Sequence, residues 1–149
     1  MKTSIRDIRL LNLKSRSSEE GSLVAIEELR DIPISISRVF YVYDSDSRNR
    51  GNHAHFRARQ CLICVNGGVI VTCSDGCEEV AFHLNSPDKL LYLPEMIWDS
   101  IDYVGTDTVL LVLSDSLYEA RDYIETFEDF KKMKKLQNSY TINENREKQ

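Results

Sequence analysis

Cys61-Leu62-Ile63-Cys64-Val65-Asn66-Gly67-Gly68-Val69-Ile70-Val71-Thr72-Cys73 is the stretch that decides the fold class. Two apolar, β-branched runs flank an Asn-Gly pair, and Asn-Gly accepts the positive φ angles that tight hairpin turns require. The stretch predicts a core strand over 61–65, a hairpin turn at Asn66-Gly67-Gly68 and a return strand over 69–73.

The same rhythm continues outward on both sides. Downstream come a turn at Ser74-Asp75-Gly76, a strand over 79–84, a turn at Asn85-Ser86-Pro87-Asp88 and the run Leu90-Leu91-Tyr92-Leu93 before Pro94. Ile101-Asp102-Tyr103, a turn at Gly105-Thr106-Asp107 and an apolar strand over 108–113 follow. Upstream, Ile8, Leu10 and Leu13 mark a first strand within 5–13, residues 15–21 read as a polar turn, and 22–28 as a second strand broken at Asp31-Ile32-Pro33. Residues 36–43 give the strongest β signal, with Arg38, Phe40 and Val42 on one face and Val39, Tyr41 and Tyr43 on the other. Residues 44–49 read as a charged loop. Short strands punctuated by turn residues predict an all-β sandwich or small barrel. From 119 to 136, Tyr123, Phe127, Phe130 and Met133 recur at helical steps, so a C-terminal helix is expected, with the lysines of 131–135 on its solvated face. One domain over 1–136 and a polar tail over 137–149 are expected.

Bulk properties narrow the function. A chain of 149 residues with 42% hydrophobic content can bury a core unaided. A net charge of -5 and a pI near 5.2 argue against a general nucleic-acid or membrane-surface binder, since both need a basic face. A small anionic ligand remains compatible, because a few arginines inside a cleft can outweigh the global sign. Cys61, Cys64, Cys73 and Cys77 have ribbon-like spacings, but no turn residue separates Cys61 from Cys64, so they read as buried free thiols. With no apolar run of signal-peptide or membrane-span length, a reducing cytoplasm is the expected location.

The chemistry concentrates at Arg50-Gly51-Asn52-His53-Ala54-His55. On a strand, positions i and i+2 share a face, so His53 and His55 place two imidazoles side by side, as a paired acid/base site or half a metal site. His83, between Phe82 and Leu84, reads as solvent-facing.

A jelly roll with His-x-His facing its lumen resembles the cupin plan. In cupins a metal is commonly completed by a glutamate four residues on and by a histidine from a later strand. Here those positions carry Arg59 and Asp99. A guanidinium repels a dication, which points away from a metal and predicts an Arg59–Asp99 ion pair in its place. The alternative is a metal held by His53, His55 and Asp99. Without a metal or other cofactor, two imidazoles titrating near neutrality suit proton transfer beside a carbonyl, as in isomerisation or epimerisation of a keto-sugar.

Gly21-Ser22-Leu23 with Ile26-Glu27, Ile32-Pro33, Arg38-Val39-Phe40-Tyr41, Arg50-Gly51 with His53-Ala54-His55, Gln60, Asn66-Gly67, Trp98, Tyr118-Glu119, Asp122-Tyr123-Ile124 and Phe130 resemble the sugar 3,4-ketoisomerases of the WxcM-like cupins. The resemblance spans roughly residues 5–132. It implies a cupin-type jelly-roll β-sandwich or barrel with a C-terminal helix, and a homodimer exchanging an N-terminal strand. The implied substrate is a dTDP-linked 4-keto-6-deoxyhexose, converted to its 3-keto isomer for surface-glycan synthesis.

Carried onto this chain, the resemblance implies His53 and His55 as the catalytic pair, with Tyr41, read on an inward face, contacting the sugar or the enediolate oxygen. Arg50 is expected on the diphosphate or a sugar oxygen, since its fork suits bidentate recognition. Arg38, Gln60, Arg59, Asp99 and Trp98 complete the expected substrate-binding set. The chain departs from the family pattern at Glu20-Gly21, Arg59 and Trp98-Asp99, where Arg-Gly, a glutamate and Trp-His are common. A nucleotide-sugar-binding cupin without isomerase activity is the reading from a different class. Which imidazole is the base, and the C4 configuration of the product, stay open at the level of sequence.

Overall fold

Asn66-Gly67 bends the chain without reversing it. The computed structural model describes residues 3–45 and 48–146. Its elements run β1 (Arg9–Asn12), β2 (Ser15–Ser18), β3 (Gly21–Val24), β4 (Arg38–Val42), β5 (Asn49–His55), β6 (Gln60–Ser74), β7 (Glu79–Leu84), β8 (Lys89–Leu93), β9 (Trp98–Ser114), β10 (Tyr123–Ile124) and α1 (Phe127–Arg146). The predicted hairpin is thus one strand: residues 69–73 pair with β7 and β9 rather than with 61–65. Gly67 takes φ +78°, and the ladder shifts register on both sides of Asn66. A Cβ on Gly67 would stand 2.3 Å from Thr108 Oγ1, so only glycine lets β9 cross at this point. The predicted turn at Gly105 is likewise absorbed as a bulge within β9. It is tied by Thr108 Oγ1 donating to Val104 O at 2.7 Å and Asn66 Nδ2 donating to Asp107 O at 2.6 Å.

These two bent strands build a sandwich of antiparallel layers. The first half of β6 and the second half of β9 join β1, β8 and β4, while their other halves join β7, β5 and β10. Between the layers lie Leu62, Cys64, Val69, Val71, Ile101, Tyr103, Leu110 and Val112. Leu13, Ile32, Ile34, Cys61, Ile63 and Leu113 form a second core outside the first layer. Residues 61–64 are therefore buried on both faces, which is why they read as a continuous apolar run. Each fully buried Leu or Ile here contributes about 1.5–3 kcal/mol relative to exposure. Cys61 and Cys64 fall on opposite faces of β6, in different cores, so they cannot share a knuckle. Cys77 corrects the thiol reading, being exposed in the turn after β6.

Two further expectations change. The polar stretch 15–21 is a ribbon, β2 paired with β3, with its turn at Glu19-Glu20; serine hydroxyls of Ser17 and Ser22 meet across it at 2.8 Å. The helix begins at Phe127, because Thr126 and Asp129 cap one another there, and the expected first turns over 119–124 become a 3-10 turn and β10. The helix buries Phe130 against Ala54, Met96 and Ile124 and runs on through Arg146; residues 147–149 of the expected polar tail, like 46 and 47 of the charged loop, lie outside the described residues.

Candidate active site

β5 delivers the histidines through a distortion the sequence encodes. Gly51 and Asn52 take φ +76° and +59°, and the pairing with β9 slips between Gly51 and His53. A Cβ on Gly51 would lie 2.5 Å from Asp99 Oδ1, so glycine permits the close approach. Beyond the bulge, His53 pairs with Asp99 and His55 with Tyr123. The two imidazoles share a face as predicted, ring centroids 5.0 Å apart and nearly perpendicular. Tyr123 touches both, 5.0 Å from His53 and 4.5 Å from His55.

The environment of His55 fixes its tautomer. The Asp122 carboxylate accepts the backbone N–H groups of Arg57 and Ala58, and at 3.0 Å it accepts the Nδ1 proton of His55. Nε2 is left with its lone pair, which accepts from the Gln60 amide at 3.2 Å. Burial, reinforced by the adjacent His53, pushes the His55 imidazole down to about 4 against the opposing pull of Asp122. At neutral pH His55 is an unprotonated imidazole of fixed orientation.

A cavity of about 220 Å³ opens beside the pair. Strand register orders its wall. Phe40, Val112 and Leu62 form one cross-strand rung, Val42, Leu110 and Cys64 the rung below, and Arg38, Ser114 and Gln60 a polar rung at the histidine end. The facing layer contributes Arg50, Asp99, Ile101 and Tyr103. Burial raises the Asp99 carboxyl to about 6, with His53 opposing, and pushes the Tyr103 phenol up to about 12.

The structure brings His53, His55, Gln60, Asp99 and Arg50 together, with Arg38 on the polar rung, and sends the rest elsewhere. Tyr41 is on the outer face of β4 and 64% exposed, because Arg38, Phe40 and Val42 take the inner face; both faces are apolar, so hydrophobicity did not decide the parity. Trp98 packs on Phe127 and Phe130 of the helix rather than on the cavity. The expected Arg59–Asp99 pair does not form. The strand breaks after His55, and Arg59 turns outward to Asp115, with Nε to Oδ2 at 2.6 Å and the backbone N–H to Oδ1 at 2.9 Å. The metal alternative lacks its donor set: among the described residues no three histidine, cysteine or carboxylate side chains converge as a metal site.

Asp122 and Tyr123, which fall in the helix expected over 119–136, stand instead beside the histidines, on a 3-10 turn and on β10. Their signal was an acidic residue followed by an aromatic and a β-branched residue, a short-strand composition masked by the helical spacing of Tyr123, Phe127 and Phe130.

The family model described as FdtA: WxcM-like, C-terminal, matches residues 6–135. A TDP-4-oxo-6-deoxy-alpha-D-glucose-3,4-oxoisomerase of Aneurinibacillus thermoaerophilus is 38% identical over 125 residues, covering 83% of this chain and 90% of that protein. The crystal structure of QdtA, a sugar 3,4-ketoisomerase from Thermoanaerobacterium thermosaccharolyticum in complex with TDP, superposes with a TM-score of 0.86 at 32% identity, covering 89% of this chain and 98% of that one. A histidine-to-asparagine variant of that enzyme, in complex with TDP-4-keto-6-deoxyglucose, gives a TM-score of 0.85 at 32% identity over 88% of this chain and 96% of that one. By its sequence over residues 6–135 and by its fold, the chain belongs to the FdtA family of WxcM-like proteins.

Proposed function

We propose that the chain is a sugar 3,4-ketoisomerase that converts TDP-4-keto-6-deoxyglucose to its 3-keto isomer. The observation that carries this reading is the pair of imidazoles, one held neutral by burial, at the polar end of an otherwise apolar cavity. The named activities of the relatives support it.

The reaction needs no net oxidant. An imidazole takes the proton from C3, the C–H electron pair becomes the C3–C4 double bond, and the C4 carbonyl electrons move onto its oxygen. Transfer of the O3 hydroxyl proton to O4 and return of a proton to C4 then leave the ketone at C3 and a hydroxyl at C4. A buried imidazole is a weak base at rest, but a nearby enediolate raises its proton affinity, and Asp122 stabilises the imidazolium through Nδ1. The test is turnover in deuterated buffer. One deuterium at C4 of the product supports the mechanism, whereas TDP binding without exchange at C3 leaves a nucleotide-sugar-binding protein.

The same reading includes a homodimer with an exchanged N-terminal strand. It is supported by the β2–β3 ribbon, which pairs only with itself among the described residues and exposes Leu23, and by the exposed Val39, Tyr41 and Tyr43 face of edge strand β4. Light scattering on the protein with and without residues 1–24 tests it: the full chain should have twice the monomer mass. A cytoplasmic location is part of the same proposal, since nucleotide-linked sugars are made and consumed there.

A further inference from the structure

Arg38 differs from Arg57 and Arg59, the arginines that follow the histidines in the chain. Arg57 meets Glu119 at 2.6 Å, Arg59 meets Asp115 at 2.6 Å, and Arg38 meets no carboxylate within ion-pair distance among the described residues. Its Nε is buried with no hydrogen-bond partner. A buried charged donor left unsatisfied costs more than the roughly 1–3 kcal/mol of a neutral one, so its retention calls for an acceptor that arrives from outside.

The position defines that acceptor. Arg38 and Gln60 flank Ser114 on one cross-strand rung, and the Gln60 amide contacts His55 Nε2. On the other side the Arg38 guanidinium stands 5.6 Å from the Tyr118 ring; the Tyr118 ring lies tilted 5.8 Å from that of Tyr123, which touches both imidazoles. These contacts join the Arg38 guanidinium to the two imidazoles through Tyr118 and Tyr123, beside the cavity residues Gln60 and Tyr123. Phe40, whose ring centroid is 5.0 Å from the Arg38 carbon, holds it from below.

We propose that Arg38 is the electrophile of the site, its guanidinium receiving the negative charge that builds on the C4 oxygen as the enediolate forms. This rests on the ketoisomerase reading above. In a site that holds no carboxylate against it, a preorganised cation strengthens as the charge develops, which lowers the barrier to C3–H cleavage rather than tightening substrate binding. The strongly hydrated diphosphate belongs at the exposed rim, where Arg48 and Arg50 lie in the open. Arg38 also disfavours the protonated form of His55.

The test uses Arg38→Met and Arg38→Lys in the full chain, with turnover of TDP-4-keto-6-deoxyglucose and calorimetric binding of TDP measured side by side. The proposal expects kcat to fall by at least about 100-fold in Arg38→Met with TDP affinity within threefold of wild type, and Arg38→Lys to recover part of the loss. A variant that turns over normally overturns the assignment, as does one that loses TDP affinity tenfold while keeping kcat. A wild-type protein that binds TDP but never isomerises sinks the ketoisomerase reading and this one together; an active wild type with an equally active Arg38→Met sinks this one alone. Should Arg38→Met fail to fold, Arg38→Lys decides: reduced kcat at unchanged TDP affinity and unchanged melting temperature upholds the role, and wild-type kcat rejects it.

Discussion

Asp122 accepts the Nδ1 proton of His55 across 3.0 Å, although the two residues lie 67 positions apart. The same carboxylate takes the backbone N–H groups of Arg57 and Ala58, so one side chain shapes the turn after β5 and selects the imidazole tautomer. Replacing it by asparagine points an N–H donor at Nδ1 or leaves a backbone donor bare. The ring then favours the Nε2–H form, which meets the Gln60 amide head-on. Asp122→Asn is expected to lower kcat by about 100-fold or more and stability by about 1–3 kcal/mol, read by turnover and urea denaturation. Wild-type turnover in this variant would remove Asp122 from the positioning role.

On the proposed mechanism, His53→Asn and His55→Asn should each reduce turnover by at least about tenfold while leaving TDP affinity within threefold, because both rings sit at the polar end of the cavity. Calorimetry beside a turnover assay checks it. Full activity in both variants would remove the imidazoles from the chemistry.

The pH dependence of stability follows from two buried groups that act oppositely. The unfolded chain protonates His55 below about 6.5, but the folded chain resists until about 4. Stability from His55 is complete above pH 6.5 and is lost as pH falls towards 4, about 3 kcal/mol in all. Asp99 is protonated near 6 when folded and near 3.8 when unfolded, so it favours the folded state in acid and that advantage fades as pH rises from 3.8 to 6. Between pH 4 and 6 the two slopes offset each other. Asp99→Asn removes one of them, and urea unfolding of the variant should lose about 3 kcal/mol between pH 6.5 and 4, against a flatter wild type. Parallel profiles would show that Asp99 titrates normally.

Gly51→Ala should cost about 1–3 kcal/mol, because a side chain at φ +76° is strained and its Cβ would meet Asp99 Oδ1 at 2.5 Å. Combined with Asp99→Ala, the loss should be smaller than the sum of the two single losses, measured by thermal denaturation, since the clash partner is gone.

Much of this site could be read from the chain alone because strand parity is a local property. The shared face of His53 and His55, and the split of Arg38, Phe40 and Val42 from Val39, Tyr41 and Tyr43, follow from a period of two. What the pattern did not hold was direction at breaks. Counting four residues from His55 to Arg59 assumes an uninterrupted strand, yet the chain turns there to bind Asp122 and Asp115, which come from distant segments. The Asn66-Gly67 reading failed for the same reason. Its positive φ was correctly implied, but whether such a residue reverses a strand or only kinks it depends on the neighbour across the ladder, here Thr108.

The continuous crossing of β6 and β9 also sets an order of assembly. Their ladder is a long zipper whose sequence-near end is Ser74 against Trp98 and whose far end is Gln60 against Ser114. Chain closure is cheapest at the near end, so nucleation belongs there and the rung carrying Arg38 and Gln60 forms late. Substitutions at that rung then act chiefly on the rate of unfolding, which leaves natural selection free to vary this polar end of the sandwich without slowing the birth of the fold.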